Sequence, residues 1–205
     1  MKPLLLIGGG GHCRSCIEVI ESSHQYVVAG VVDHDAQLGG TVLSYPRLGI
    51  DDDLPQLLKK FPAALITLGQ IKSAESRIRL FEHLKTLGAE LPCVISSHAH
   101  VSRHALVAPG SVVMHGVIVN ASASVGENCI INSQALIEHD SVVEAHCHIS
   151  TGAKLNGDVH VESGCFIGSG AIVREGVRIG AHSLIQAGSV VLSDVPAGTV
   201  YRGQP

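Results

Sequence analysis

The chain has 205 residues, a formal net charge of −4 with histidine neutral, and 45% hydrophobic but only 3% aromatic residues. That length fits one large domain or two small ones, with an aliphatic core and a backbone interrupted by 23 glycines. A weakly acidic balance argues against nucleic acid or an anionic membrane as the main partner, and no apolar run approaches the roughly 18 residues of a membrane span.

The first apolar run, Leu4–Ile7, stops at glycines and has no cleavage site, so it is not read as a signal peptide. Six cysteines without an export signal are read as reduced thiols in a cytoplasm. Leu4–Ile7 predicts a buried strand, and Gly8–Gly11 a turn that lets the backbone approach a ligand. A helix beginning near His12 would present free N–H groups to an anion, most naturally a phosphate. Asp33 closes the next strand, at the distance where a Rossmann unit places its ribose acid. The glycine fingerprint is incomplete: Gly8 and Gly10 fit, but Cys13 stands at the third position. A further buried strand (Ala63–Gly69) and an amphipathic helix through Leu87 complete one mononucleotide-binding half. A nucleotide or nucleotide sugar therefore fits better than a dinucleotide. Cys13 and Cys16 have thioredoxin spacing at a helix start, where a thiolate would be stabilised. They follow a glycine turn rather than a redox motif, so redox chemistry is not the preferred reading.

From Ile95 onward every sixth residue is a large aliphatic: Ile95, Val101, Val107, Val113 and so on to Val191. Two residues before each stands a smaller one, from Ala99 through Ser111, Cys129, Cys147 and Cys165 to Ser189. A period of six is neither helix nor ordinary strand; it marks a hexapeptide β-helix. With three hexads to a coil, residues 18 apart stack, so Cys129, Cys147 and Cys165 form a ladder inside the prism rather than a metal site or a disulfide. His146 and His148 flank Cys147 and are expected to face outward, and His115, His146, His160 and His182 to be surface residues. The prism's open ends are expected to be capped by the preceding domain and by the tail from Ser193 to Pro205.

A Rossmann-like half followed by such a prism resembles the bacterial sialic-acid O-acetyltransferase (NeuD-type) family, which includes the PglD-type sugar N-acetyltransferases. The resemblance rests on "IGGGGH" (Ile7–His12), "VVD" (Val31–Asp33), "INSQALIEHDSVV" (Ile131–Val143), "HISTGAKLNGDVHV" (His148–Val161) and the closing "AGSVVLSDVPAGTVYRGQP". It implies an α/β Rossmann-like half domain (1–92) that binds the nucleotide sugar. A left-handed parallel β-helix prism (93–205) would then bind acetyl-CoA and carry the chemistry. It also implies a homotrimer with active sites between subunits, no bound metal, and transfer of acetyl to the 4-amino group of a nucleotide-linked 4-amino-4,6-dideoxy sugar, UDP-linked by preference. By motif, His139 corresponds to the general base and Asp140 to the acid that orients it. The PglD type has Glu there, so the shorter Asp must reach the ring differently. His148, Ser169 and Ala187 correspond to acetyl-CoA contacts, and Gly10, Gly11, His12, Asp33, His34 and Gly69 to the sugar-nucleotide site.

The residues agree with that chemistry. An imidazole near its ordinary pKa can take the proton an attacking amine must lose. A neighbouring carboxylate favours the imidazolium that forms. Gly157 lies one coil above His139, so its N–H is the candidate donor to the developing oxyanion. His139 and His148 are half a coil apart, on different faces, so a site using both needs two subunits. Three other readings compete. O-acetylation of a sialic-acid-like sugar uses the same base. A non-catalytic nucleotide-sugar scaffold would bind no acetyl-CoA. A hexapeptide carbonic anhydrase would need three convergent histidines, with a pair spaced unlike any here. Arg174, Arg178 and Arg202 are candidates for a cofactor phosphate.

Overall fold

The computed structural model describes residues 1–34 and 40–203. Strand β1 (Lys2–Ile7) runs into helix α1 (Gly11–Ser23), and β2 (Tyr26–Val32) returns beside β1 in parallel. A short antiparallel pair follows, β3 (Thr41–Val42) and β4 (Tyr45–Gly49), then helix α2 (Leu54–Lys60), β5 (Ala63–Ile66) and helix α3 (Glu75–Thr86). The sheet order is β3-β4-β2-β1-β5, which places β1 inside the sheet between β2 and β5, with the glycine turn at its C-terminal end. Leu4 to Ile7 are all fully buried, as a continuous apolar run in a parallel sheet requires.

The rest of the chain is built of two-residue strands, β6 (Val94–Ile95) through β23 (Val200–Tyr201). They stack into three parallel sheets of six, five and seven strands. The register is 18 residues: Val112 pairs with Ile130, Ile130 with His148, and His148 with Phe166. The aliphatic series points inward, with Val113, Val119, Ile131, Ile137, Ile149 and Ile167 at most 1% exposed. A third series of period six appears at the corners. The second turn residue is left-handed at Gly110, Gly116, Ser122, Asn128, Gln134, Asp140, His146, Gly152 and Asp158, and beyond. The short polar side chains among these tolerate that conformation best.

The cysteine ladder is present, and it has a hydrogen-bonding reason. Cys129, Cys147 and Cys165 each aim Sγ at the carbonyl fifteen residues on, those of Glu144, Glu162 and Gly180, at 3.1–3.2 Å. Ser111 and Ser141 do the same toward Gly126 and Asn156 at 2.7 and 2.9 Å. The small inward position is thus a donor to a carbonyl of the following coil, and Cys serves there as a larger, less polar version of Ser. All six cysteines are free.

The two ends of the prism differ. At the far end the last rung is short: Leu184 pairs with Val200, sixteen residues on, and Val195 bridges to Ile179. Gln204 and Pro205, the last residues of the expected cap, lie outside the described residues. At the near end Ile95, Val101 and Val107 are only partly buried, so the expected cap there is incomplete. The first domain docks along one side of the prism instead, where Phe81, Arg77 and Gln70 reach successive coils at Gly110, Asn128 and His146. No helix of the described residues is long and apolar enough to cross a membrane.

Candidate active site

The corners of the prism define three edges with different equipment. One carries His139 and Gly157, one carries Ser169 and Ala187, and one is covered by the first domain.

The glycine turn is shaped for a ligand. Gly8 has φ +106° and lies against the Leu68 backbone, where a Cβ would come within 3.0 Å. Above Gly10 and Gly11 a Cβ would meet nothing within 4 Å. Gly10 is the N-cap of α1 and offers no side-chain cap, which leaves the first N–H groups of the helix to another partner. Asp33 lies over Gly9, and its Oδ2 accepts a 2.7 Å bond from Arg47 Nη1 with both side chains about four-fifths buried. His34 follows, exposed. Gly69 faces the Cβ of His12 at 3.7 Å. Cys13 and Cys16 are fully buried. Burial pushes the Cys16 thiol up to about 12 and raises Cys13 as well, the opposite of an activated thiolate.

His12 leads from this loop to the prism. Its ring is 6.4 Å from that of His148, and its Nε2 lies 3.5 Å from Cys16 Sγ. His148 projects outward from its strand as expected, but the first domain covers it, leaving 6% exposure. Its Nδ1–H donates to the Gln70 carbonyl at 2.6 Å, so Nε2 is the acceptor for Asn132 Nδ2 at 3.1 Å. Burial and the nearby Arg77 guanidinium bring both His12 and His148 down to about 4. Both ring nitrogens of His148 are thus engaged within the protein. His146 also differs from a surface residue: Phe81 packs edge-on against its ring at 5.6 Å, and Asn128 Nδ2 meets its Nδ1 at 3.0 Å. His160 is paired with Glu144 at 2.8 Å, while His182 is exposed.

The His139 edge is open to solvent. Asp140 occupies the left-handed turn position, φ 62°, and from there its Oδ2 meets His139 Nδ1 at 2.7 Å. The shorter acid thus reaches the ring fully. Asp140, then Glu138 and Asp158, raise the imidazole above its ordinary value. With Nδ1 held by the carboxylate, Nε2 is turned outward as the free basic atom. Gly157 lies directly over that ring: a Cβ there would fall 2.8 Å from Nε2 and 2.7 Å from Cε1. At the equivalent turn position, the N–H groups of Ser133 and His139 are taken by the side chains of Asn132 and Glu138. Among the described residues the Gly157 N–H has no such partner.

On the third edge Ser169 and Ala187 are exposed one coil apart, with Ser169 Oγ 2.9 Å from Ser150 Oγ. Ala187 borders a cavity of about 300 Å³ that Arg202 and Tyr201 also line. Arg178 is engaged with Glu162 at 2.7 Å. The structure therefore gathers the predicted residues into three groups: the glycine loop with His12 and His148, then His139 with Asp140 and Gly157, and finally Ser169 with Ala187. Among the described residues no three ligating side chains are placed to hold a metal.

Sequence reasoning missed Arg47, Gln70 and Arg77. Arg77 is 1% exposed and bonds only neutral oxygens, those of Ile66, Leu68 and Asn128. An arginine on an amphipathic helix gives no sign in sequence that it will be buried under a second domain.

The chain is similar to known families and solved structures. Residues 3–84 match the PglD N-terminal domain family, and residues 158–193 the bacterial transferase hexapeptide family. Among solved structures, a His-to-Asn variant of perosamine N-acetyltransferase from Caulobacter crescentus, in complex with CoA and GDP-perosamine, is 33% identical. The match covers 96% of this chain and 91% of that one, with a TM-score of 0.89. The acetyltransferase domain of PglB from Neisseria gonorrhoeae is 30% identical over 98% of this chain and 97% of that one, also at 0.89. WeeI from Acinetobacter baumannii, 22% identical over 98% and 97% with a TM-score of 0.85, shares the fold. No curated protein matches the chain. These relatives identify the stacked sheets as a left-handed β-helix, and the chain belongs to the NeuD/PglD-type family of sugar acetyltransferases.

Proposed function

We propose that the protein transfers the acetyl group of acetyl-CoA to the 4-amino group of a nucleotide-linked 4-amino-4,6-dideoxy sugar, in the cytoplasm, for a surface glycan or glycoprotein. The observation that carries this reading is the corner at His139: a ring oriented by Asp140 at 2.7 Å, with the Gly157 backbone against its Nε2 side. His139 Nε2 takes the proton as the amine nitrogen bonds to the thioester carbonyl carbon. The carbonyl oxygen becomes an oxyanion and accepts the Gly157 N–H. When the tetrahedral intermediate collapses, the C–S bond breaks and the imidazolium returns its proton to the CoA thiolate.

The site needs more than one edge. Ser169 and Ala187 stand on a different edge of the same prism from His139, so a cofactor touching all three spans two neighbouring subunits. A homotrimer supplies three such junctions. His148 would sit where the cofactor's acyl end and the sugar approach each other. Gly10, Gly11 and the start of α1 receive the diphosphate, His12 and Gly69 the sugar side, and Asp33 and His34 the nucleoside side. The division of labour falls between residues 1–92, which hold the nucleotide sugar, and 93–205, which hold acetyl-CoA. UDP is the nucleotide the family resemblance favours, and GDP is the one named with the Caulobacter relative.

The test is release of free CoA thiol from acetyl-CoA with UDP-, GDP- and dTDP-linked 4-amino sugars, run beside His139→Ala. Turnover with one of them, lowered about 10²–10⁴-fold in the variant, is expected. Turnover only with hydroxyl-bearing acceptors would replace the amine reading with O-acetylation. An active His139→Ala would remove the base.

A further inference from the structure

We propose that Glu138 is a positioning residue for His139, tying down the turn on which the base stands and placing a negative charge behind it. This rests on the reading of His139 as general base.

Glu138 precedes the base in a turn that closes through a 3.3 Å bond from Ser141 N–H to the Glu138 carbonyl. Its carboxylate is fixed from two sides. Oε2 accepts Asn120 Nδ2 at 2.8 Å from the coil below, and the His139 backbone N–H at 3.3 Å. The backbone atom that carries the base is therefore anchored to two coils at once. Rotation of the exposed ring is limited at Nδ1 by Asp140 and at the main chain by Glu138.

The neighbouring edge shows why the charge matters. Asn132 caps Ser133 N–H at 2.8 Å in the same relation to its turn, using a neutral amide. The scaffold can thus fasten this N–H without a carboxylate. Along the His139 edge, residues stacked 18 apart are Ser102, Asn120, Glu138, Asn156 and Arg174, and Glu138 is the acid among them. On the edge under the first domain, Glu144 and Glu162 hold the same pre-turn position but bond the turn N–H of the next coil, at Ser163 and Ala181, whereas Glu138 bonds the N–H of the base itself. The charged groups acting on the ring are Asp140 and Glu138 from its own turn and Asp158 from the coil above, and all three favour the imidazolium. A base that becomes cationic as the tetrahedral intermediate forms is strengthened by such neighbours.

The experiment compares wild type, Glu138→Gln and Glu138→Ala in two measurements: the pH dependence of kcat, and the titration of the His139 ring followed by proton NMR without substrate. Glu138→Gln keeps an acceptor for both bonds and loses the charge. It should move the ring titration and the acidic limb of kcat to lower pH while KM for both substrates holds. Glu138→Ala should show the same shift and lower kcat about tenfold or more through misplacement of the ring, with Gln restoring part of that loss. A ring titration in Glu138→Gln that overlays the wild type would overturn the electrostatic role. Wild-type kcat in Glu138→Ala would overturn the anchoring role. If Glu138→Ala does not fold, Asn120→Ala removes one anchor of the carboxylate and should lower kcat in its place. The NMR titration needs no turnover, so it separates failure of this inference from failure of the acetyltransferase reading.

Discussion

His139 and His148 stand nine residues apart on one repeating scaffold, and their surroundings are opposite. The His139 side chain is 65% exposed, bonded to a carboxylate and biased toward the imidazolium. His148 is closed under the first domain, bonded to neutral partners on both nitrogens and held neutral down to about 4. His139 stands on a corner turn and His148 on a two-residue strand, and each is surrounded differently: solvent and acids on one side, a second domain and a buried arginine on the other. One ring is equipped to change its charge during a reaction, and the other to keep it.

The largest expected effect concerns the buried ring. Its folded pKa lies below its unfolded value, so its contribution to stability is complete above pH 6.5 and is lost as pH falls toward about 4. The full shift corresponds to about 3 kcal/mol. Urea unfolding at pH 7 and pH 4.5 should show a smaller loss in His148→Gln than in wild type; equal losses would mean the ring is not closed off. At the exposed ring, Gly157→Ala places a methyl where the imidazole now lies. The ring can swing into solvent, so the melting temperature should hold while kcat drops about a hundredfold. An active variant would show that the ring need not sit over Gly157. Asp140→Asn should lower maximal turnover roughly tenfold, a fraction of what a general base supplies. It should also carry the acidic limb to lower pH, because the raised pKa of His139 depends first on that carboxylate. A limb that stays in place would assign the shift to Glu138 and Asp158. Smallest is Cys147→Ser, which keeps the bond to the Glu162 carbonyl. It should cost no more than about 1 kcal/mol in urea denaturation, and a loss several times larger would show that the ladder depends on sulfur's size rather than on its donor.

The prism was legible almost to the residue. Its inward aliphatics and small positions recur with a fixed period, and periodicity survives translation from sequence to structure. The Asp140–His139 pair was legible too, because both residues share one turn. The docking of the first domain was not. Arg77 meets Asn128, and Gln70 meets His146, across more than fifty residues of sequence, and nothing in α3 marks Arg77 as the one that will be buried. His146 was misread for the same reason: it does point away from the prism, but a second domain stands where water was expected. The corner series with left-handed φ was visible in principle, as Gly, Asn, Asp, Ser and His at every sixth position, though it is chemically too mixed to stand out beside the aliphatics.

The shortened last rung has a consequence for how these molecules behave in a crowd. Stacked parallel strands with identical spacing offer their top edge as a template on which another strand can settle, the geometry by which fibrils lengthen. Here the final segment turns back early and occupies that edge. Val195 pairs above Ile179, Thr199 and Tyr201 receive the N–H groups of Leu184 and Gln186, and the Tyr201 hydroxyl reaches the Val190 carbonyl. Two of the three faces are met at their upper rim by the backbone of this segment, and the third by the Tyr201 hydroxyl. The segment ends growth in the direction in which the repeat would otherwise extend.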